Sequence, residues 1–429
     1  MAGPPARASF RSSALLNYAG QVGASALSFG NVLVTARTLD ASGRGQLAFL
    51  TTVALITSAL AALGFAPASS TFAGRHPEDT PALATNAVLA ALVCGAVGIG
   101  VVAALVAIFP GMGGDVPRGL LWLSLASVPV LIAGMSLQGV AGAHYGFRAT
   151  NAAWLATPFV TVVANGTMAA LGELTVGRAL GAWVAGQILA TVMLAWFVAR
   201  RLGGFGRPDR RLARAALVFG LQAHAGRVLN QGNYRLDQWI LGPVAGSRQL
   251  GIYSVAVAWT EALFFLPTAL AFAQVPDVAR ATPKEAARQA ATVFRVATLI
   301  TGVLAIGLIV AAPLLTTTIF GAQFSPATTQ IRILACGAFG IVALKVLGST
   351  LTVQRKPMLE TAATACAFVV VVGLDVLLIP AHGGLGASIA SLVGYTAGGL
   401  CVCALFSRTL RVRLRDLVPR PREVLPSSN

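Results

Sequence analysis

Long uncharged runs alternate with short basic segments along this chain. Thr51–Leu63, Ala82–Phe109 and Ala297–Phe320 carry no charged residue, and similar runs recur towards the C-terminus. A helix needs about 20 mostly apolar residues to cross a bilayer core. The runs predict spans at 13–36, 46–66, 82–109, 119–142, 150–171 and 179–199. A second set follows at 213–240, 251–273, 292–319, 328–352, 358–379 and 385–407. Glycine and proline inside them are no objection, because membrane helices tolerate both. The expected fold is an all-α polytopic membrane protein of about 12 transmembrane helices.

Composition agrees: hydrophobic residues make up 56% of the chain and charged residues 10%, too little charge to solvate a soluble surface of this size. The net charge of +17 raises the question of a nucleic-acid partner. Its distribution argues against one, since the basic residues sit in short loops and the tail between apolar spans. Orientation by positive cytoplasmic loops accounts for them. The 200–214 loop holds Arg200, Arg201, Arg207, Arg210, Arg211 and Arg214, and the tail is similarly basic. Both termini are therefore expected in the cytoplasm. Arg7 and Arg11 precede a long apolar run that reads as a retained first span rather than a cleaved signal. The cysteines, Cys94, Cys336, Cys366, Cys401 and Cys403, all fall in apolar runs and imply no disulfide framework.

The 200–214 loop, rich in glycine, proline and charge, reads as a linker. The expected organisation is a cytoplasmic segment (1–12), an N-lobe of helices 1–6 (13–199), the basic linker (200–214), a C-lobe of helices 7–12 (215–407) and a basic cytoplasmic tail (408–429). The halves echo each other. Sliding the first by 206 positions sets Gly45 on Gly251, Asn31 on Asp237 and Gly20 on Gly226. With both halves starting in the cytoplasm, the repeat is parallel, about an axis along the membrane normal.

Polar residues inside the spans are the informative ones. Asn17, Gln21, Ser28, Asn31 and Thr35 fall within about 40° of one direction on a helix, so they form a stripe. It can line a cavity or bond neighbouring helices. In the seventh span His224, Arg227, Asn230, Gln231 and Tyr234 occupy an arc of about 120°. Arg227 lies near mid-span, where an arginine must be paired or wet. Arg235 and Asp237 read as an ion pair with each other or with other helices, and Glu261 needs a cation, Arg227 or Arg235. Lys345 and Asp375 are expected to reach the two membrane surfaces. His144, Tyr145 and Arg148 belong to a cytoplasmic turn. Asp40, Glu78, Asp79, Asp115 and Glu173 fall in loops, so no carboxylate is expected in a first-half span. Amides and arginine without carboxylates suit an anionic ligand, and guanidinium matches phosphate oxygens two at a time.

The stretch NYRLDQWILGPVAGSRQLGIYSVAVAWTEALFFLPTALAFAQVP (233–276) resembles the matching part of polysaccharide-biosynthesis transporters in the MOP flippase superfamily. NYAGQVGASALSFGNVLVTARTLDASGRGQLAF (17–49) is similar to that family's first hairpin. The resemblance implies a V-shaped, MATE-like pair of six-helix lobes that open alternately to each side. It also implies a Wzx-like substrate, an undecaprenyl-pyrophosphate-linked oligosaccharide moved to the outer leaflet. By the same resemblance Arg235, Asp237 and Glu261 fall at motif positions and Arg227 is a cavity cation. The peptidoglycan-precursor branch usually carries two extra spans that this chain lacks. The multidrug-efflux branch tends to use an intramembrane acidic site that the first half lacks. Asp237, Glu261 and Asp375 leave H+ or Na+ coupling open.

The expected function is thus a flippase of the bacterial cytoplasmic membrane serving cell-surface polysaccharide biosynthesis. Arg227, Asn230, Asn17, Gln21, Asn31 and Gln231 would line the substrate cavity. Arg235, Asp237, Glu261 and Lys345 would supply ion pairs or coupling. No cofactor or nucleotide is expected, since there is no metal-ligand cluster, phosphate-binding glycine loop or triad. The partners would be membrane lipids, the lipid-linked saccharide, and polymerase or glycosyltransferase machinery. Rival readings are a cation-coupled multidrug exporter of the same fold, and a membrane glycosyltransferase with Asp40 as base. A non-transporting assembly subunit is a third. Short outer loops speak against the enzyme.

Overall fold

A computed structural model describes residues 7–418, apart from the side chains of residues 7–19, 21 and 223. Among the described residues the chain is almost wholly helical and contains no strand. The helices are α1 (Arg7–Ala61), α2 (Phe65–Arg75), α3 (Thr80–Ile108), α4 (Arg118–Ala126), α5 (Val128–Ala143) and α6 (Phe147–Ala170). They continue with α7 (Val176–Arg201), α8 (Arg210–Glu261), α9 (Phe265–Arg280), α10 (Pro283–Leu314), α11 (Ala327–Val353) and α12 (Pro357–Leu410). Nine helical stretches among the described residues are long and apolar enough to cross a membrane. The chain is a multi-pass membrane protein.

Three expected loops are tight joints. Sequence reading places loops at 37–45, 241–250 and 380–384, and in each the two flanking helices meet at a break of a single residue. The breaks are Asp40 (φ 59°, ψ −173°) in α1, Gly246 (φ 83°, ψ 161°) in α8 and Gly383 (φ 54°, ψ −133°) in α12. Asp40 caps the limb that follows. Its Oδ1 accepts from the backbone N–H groups of Ser42 (2.7 Å) and Gly43 (2.9 Å), donors that a helix start leaves open. Gly246 adopts a conformation that a Cβ would obstruct. The separation of Asp40 and Gly246, 246 less 40, is the same 206 that aligns the two halves in sequence. The backbone therefore repeats its break where the sequence repeats only a few residues. Other expected spans are also interrupted or extended. Ser127 separates α4 from α5, a short 3-10 turn at Ala262–Phe264 separates α8 from α9, and α10 starts at a Thr282–Glu285 capping box.

The chain forms two compact units, Met1–Val228 and Leu229–Asn429. In the first, α1 packs on α6, α6 on α7, and α5 on α2 and α3. Leu83, Leu137, Val140, Leu194 and Val198 form part of its core. At one crossing two backbones meet without side chains between them. A Cβ on Gly64, whose φ is 72°, would lie 2.1 Å from the carbonyl oxygen of Gly220. Such small-residue contacts replace the hydrophobic effect as the packing force in lipid. In the second unit α11 lies against α12, α10 and α9. Val342, Val346, Leu351, Val402 and Phe406 are buried there, and Leu417 of a short 3-10 segment closes the cluster.

Candidate functional site

The second unit gathers ionisable side chains because α8 turns back on itself. On a straight helix Asp237 and Tyr253 would lie about 24 Å apart, and Arg235 and Glu261 about 39 Å apart. Both pairs are in contact. The Tyr253 hydroxyl donates to Asp237 Oδ2, and the Gln238 N–H donates to Asp237 Oδ1 at 2.6 Å. Arg235 Nη1 lies 3.1 Å from Glu261 Oε1, and Nη2 donates to Oε2 at 3.4 Å. Reversal at Gly246 makes these contacts possible, so a backbone feature positions the charges.

Helices α11 and α12 complete the surroundings. Lys345 Nζ sits 5.3 Å from the centre of the Tyr234 ring, a cation–π contact. Asn233 Nδ2 donates to Thr364 O (3.1 Å), and the Tyr395 hydroxyl donates to Asn233 O (3.0 Å). Tyr253 also lies 3.4 Å from Ser391 Oγ. Asp375, in the first limb of α12, is fully buried, and neither carboxyl oxygen has a hydrogen-bond partner among the described residues. It stands within electrostatic reach of Asp237. The expectation that Asp375 reaches the membrane surface is therefore wrong. Its position along the chain suggested an exposed end, but packing encloses it. A naked carboxylate is too costly in such a place, so the group must carry a proton or a cation.

The first unit holds an uncharged counterpart. Asn165 Nδ2 donates to Asn31 Oδ1 at 2.7 Å, joining α6 to α1. Asn31 corresponds to Asp237 at the 206-position offset. For α6 and α12 the offset is 210, fixed by the left-handed residues Tyr145 and Arg355 two positions before each helix starts. Asn165 then corresponds to Asp375. The two bonded amides of one unit thus occupy the positions that two carboxyl residues hold in the other. Apart from Asp40, no described α-helix of the first unit contains a carboxylate.

The remaining sequence-derived candidates are distributed as follows. Arg227 and Asn230 are exposed and Gln231 is half-buried, and among the described residues none makes a hydrogen bond or ion pair. Arg235 and Glu261 are brought together; Asp237 instead meets Tyr253, and Lys345 meets Tyr234. Asn31 is engaged by Asn165. The side chains of Asn17 and Gln21 lie outside the described residues. Sequence reading missed Tyr253, Tyr395, Asn165 and the burial of Asp375. A uniform 206-position slide sets Asn165 on Val371 and so hides its match with Asp375. His144 holds the turn before α6, with Nε2 2.7 Å from Thr80 Oγ1. Burial lowers its pKa below the usual histidine value.

Residues 34–329, more than half of the chain, match the family model described as "Polysaccharide biosynthesis protein". No curated protein matches the chain in sequence. Solved structures do. An inward-facing multidrug resistance MATE transporter of the MOP superfamily matches with a TM-score of 0.70 at 15% identity, covering 92% of this chain and 95% of that one. The lipid II flippase MurJ, inward closed, matches at 0.72 and 11% identity, covering 94% and 89%. A MOP superfamily transporter from Pyrococcus furiosus matches at 0.62 and 13%, covering 94% and 95%. At these identities the likeness is one of fold.

Proposed function

Because the chain belongs to the polysaccharide biosynthesis protein family, we propose that it is a flippase for a polyprenyl-pyrophosphate-linked oligosaccharide. The family match carries this reading, and the MOP fold, which it shares with a lipid II flippase, supports it. The chain would cross the bacterial cytoplasmic membrane twelve times, with both termini cytoplasmic and the 200–214 segment linking two lobes. Polymerase or glycosyltransferase machinery would work on either side of the step.

Arg227 is the preferred site for the pyrophosphate. It is an exposed intramembrane arginine without a partner among the described residues, and an arginine at that depth implies water or an anion. Asn230 and Gln231 on the same arc would take further oxygens, with Asn17 and Gln21 on the first helix. H+ or Na+ would couple at Asp237 and Asp375, where one carboxyl is orphaned and buried beside another. Tyr253 and Ser391 are at hand to complete an oxygen cage. The neutral Asn31–Asn165 pair would leave the first unit uncoupled, which disfavours an efflux mechanism based on a first-lobe carboxylate.

The test is translocation of a fluorescent polyprenyl-pyrophosphate oligosaccharide in liposomes. Movement by the natural chain that collapses in a folded Arg227→Ala variant is the expected result. No movement under any imposed H+ or Na+ gradient overturns the flippase reading. Movement that survives the substitution keeps the flippase and removes Arg227 from the site.

A further inference from the structure

The start of α8 is fastened to the first unit. Gly206 N donates to Pro81 O (2.9 Å), and Thr85 Oγ1 donates to Gly206 O (2.7 Å). Asn86 and Asp209 bond reciprocally, through Nδ2 to the Asp209 carbonyl (2.8 Å) and from the Asp209 N–H to Oδ1 (3.2 Å). The Asp209 carboxylate is occupied as a helix cap, accepting from Arg211 N (2.7 Å) and Leu212 N (3.1 Å). Behind α8, Ala216 is buried with Phe65, Ala68 and Ala87, and Phe219 meets Phe72 edge-on at 5.8 Å. With one face of the helix held in this way, the adjoining face, which Phe219 borders, has a fixed orientation.

That face carries an open groove of about 490 Å³ lined by Arg211, Arg214, Ala215, Val218, Phe219 and Gln222. The two arginines stand at its linker end, exposed, and neither side chain has a partner among the described residues. No acidic residue lines the groove. Below them the lining turns apolar, with Val218 still 54% exposed. The distance from Arg211 to Gln222 along the helix is about 16 Å.

We infer that this groove is a loading subsite for a lipid diphosphate, with the diphosphate on Arg211 and Arg214 and the first prenyl units along Ala215 and Val218. The inference rests on the flippase reading and adds a station that Arg227 does not provide. Arg227 lies about 20 Å farther along α8 than Arg214, too far to share one diphosphate. The choice of ligand follows from charge and polarity. A soluble pyrophosphate leaves the apolar lining unused. A phosphodiester lipid carries one negative charge against two guanidinium groups, whereas a diphosphate offers at least two and accepts paired N–H donors. The groove's volume suits a headgroup and a short length of chain, not a whole polyprenyl tail.

The test uses the full chain in phosphatidylcholine nanodiscs with geranylgeranyl diphosphate as probe, in the natural and the Arg227→Ala backgrounds. Arg211→Gln with Arg214→Gln is compared with Arg207→Gln with Arg210→Gln, which removes equal charge outside the groove. The expected loss of affinity is about tenfold for the groove pair. For the control pair it is under about twofold. The inference is overturned if the natural chain does not bind the probe, or if the groove pair does not weaken binding or weakens it no more than the control. Phosphatidylglycerol or inorganic pyrophosphate competing as well as the prenyl diphosphate also overturns it. Transport separates this from the flippase reading. A natural chain that moves the saccharide lipid while the groove pair binds normally sinks only the subsite. A natural chain that binds at the groove yet moves nothing sinks the flippase.

Discussion

Arg235 and Glu261 form a two-point ion pair although 26 positions separate them, with Nη1 3.1 Å from Oε1. The pair joins the two limbs of α8 across the Gly246 break. Its side chains are 28% and 32% exposed, so the charges are neither free in water nor fully enclosed. Glu261→Gln removes one charge and leaves Arg235 without its match. Breaking a fully buried pair costs about 3–5 kcal/mol. Partial exposure reduces the expected cost here to about 1–2 kcal/mol. Thermal unfolding in detergent checks this, and an additional Arg235→Gln should recover part of the loss, since the orphaned charge is then gone.

Asp375→Asn replaces a buried, unpartnered carboxyl with a neutral group of the same shape. Folding should persist, because no hydrogen bond among the described residues is lost. If Asp375 and Asp237 couple transport to H+ or Na+, gradient-driven initial rates should fall by about tenfold, within the usual range of coupling energies. Measuring rates with and without each gradient in liposomes decides it. An unchanged response places coupling elsewhere.

Gly64→Ala sets a methyl group against the carbonyl of Gly220, in a backbone conformation with φ at 72°. Overpacking costs about 1–3 kcal/mol, and a left-handed non-glycine residue adds about 1–2 kcal/mol. The variant should melt well below the natural chain in a fluorescence or tryptic-protection assay. Ala59→Gly nearby offers a comparison without that clash.

His144 lies between α5 and α6, and its pKa is lowered by burial. The folded chain therefore binds this proton less readily than the unfolded chain. The stability His144 contributes is present above the unfolded value near 6.5 and falls as pH drops from there towards its lowered folded value. Melting temperature should decline on acidification below about pH 6.5. His144→Gln should flatten that part of the profile, and an unchanged slope would assign it to other groups.

Much of the fold was legible in the chain itself. The uncharged runs announced membrane helices because lipid leaves the backbone no partner outside the helix. The 206-position echo, carried in sequence by little more than Gly45, Gly251, Asn31 and Asp237, reappears in the backbone breaks at Asp40 and Gly246. The joints at Asp40 and Gly246 fall inside the expected loops 37–45 and 241–250, but that each is a break of one residue was not legible, since it depends on torsions that local composition does not set. For the site, sequence picked out Arg227, Arg235, Asp237, Glu261 and Lys345 because charge in a span is rare and conspicuous. It could not say which would meet.

The sequence alone determined the class of protein, the positions of the apolar runs and the inventory of intramembrane charge, because each depends on local composition. Tertiary structure decided the pairing. Asp237 meets Tyr253 and Arg235 meets Glu261 only because α8 reverses. Asp375 is sealed from water only because neighbouring helices close over it. Asn165 is seen to correspond to Asp375 only once the turns at Tyr145 and Arg355 set the register. Contact between residues far apart in the chain depends on where the backbone bends and how closely helices approach, and neither quantity is written in local hydrophobicity.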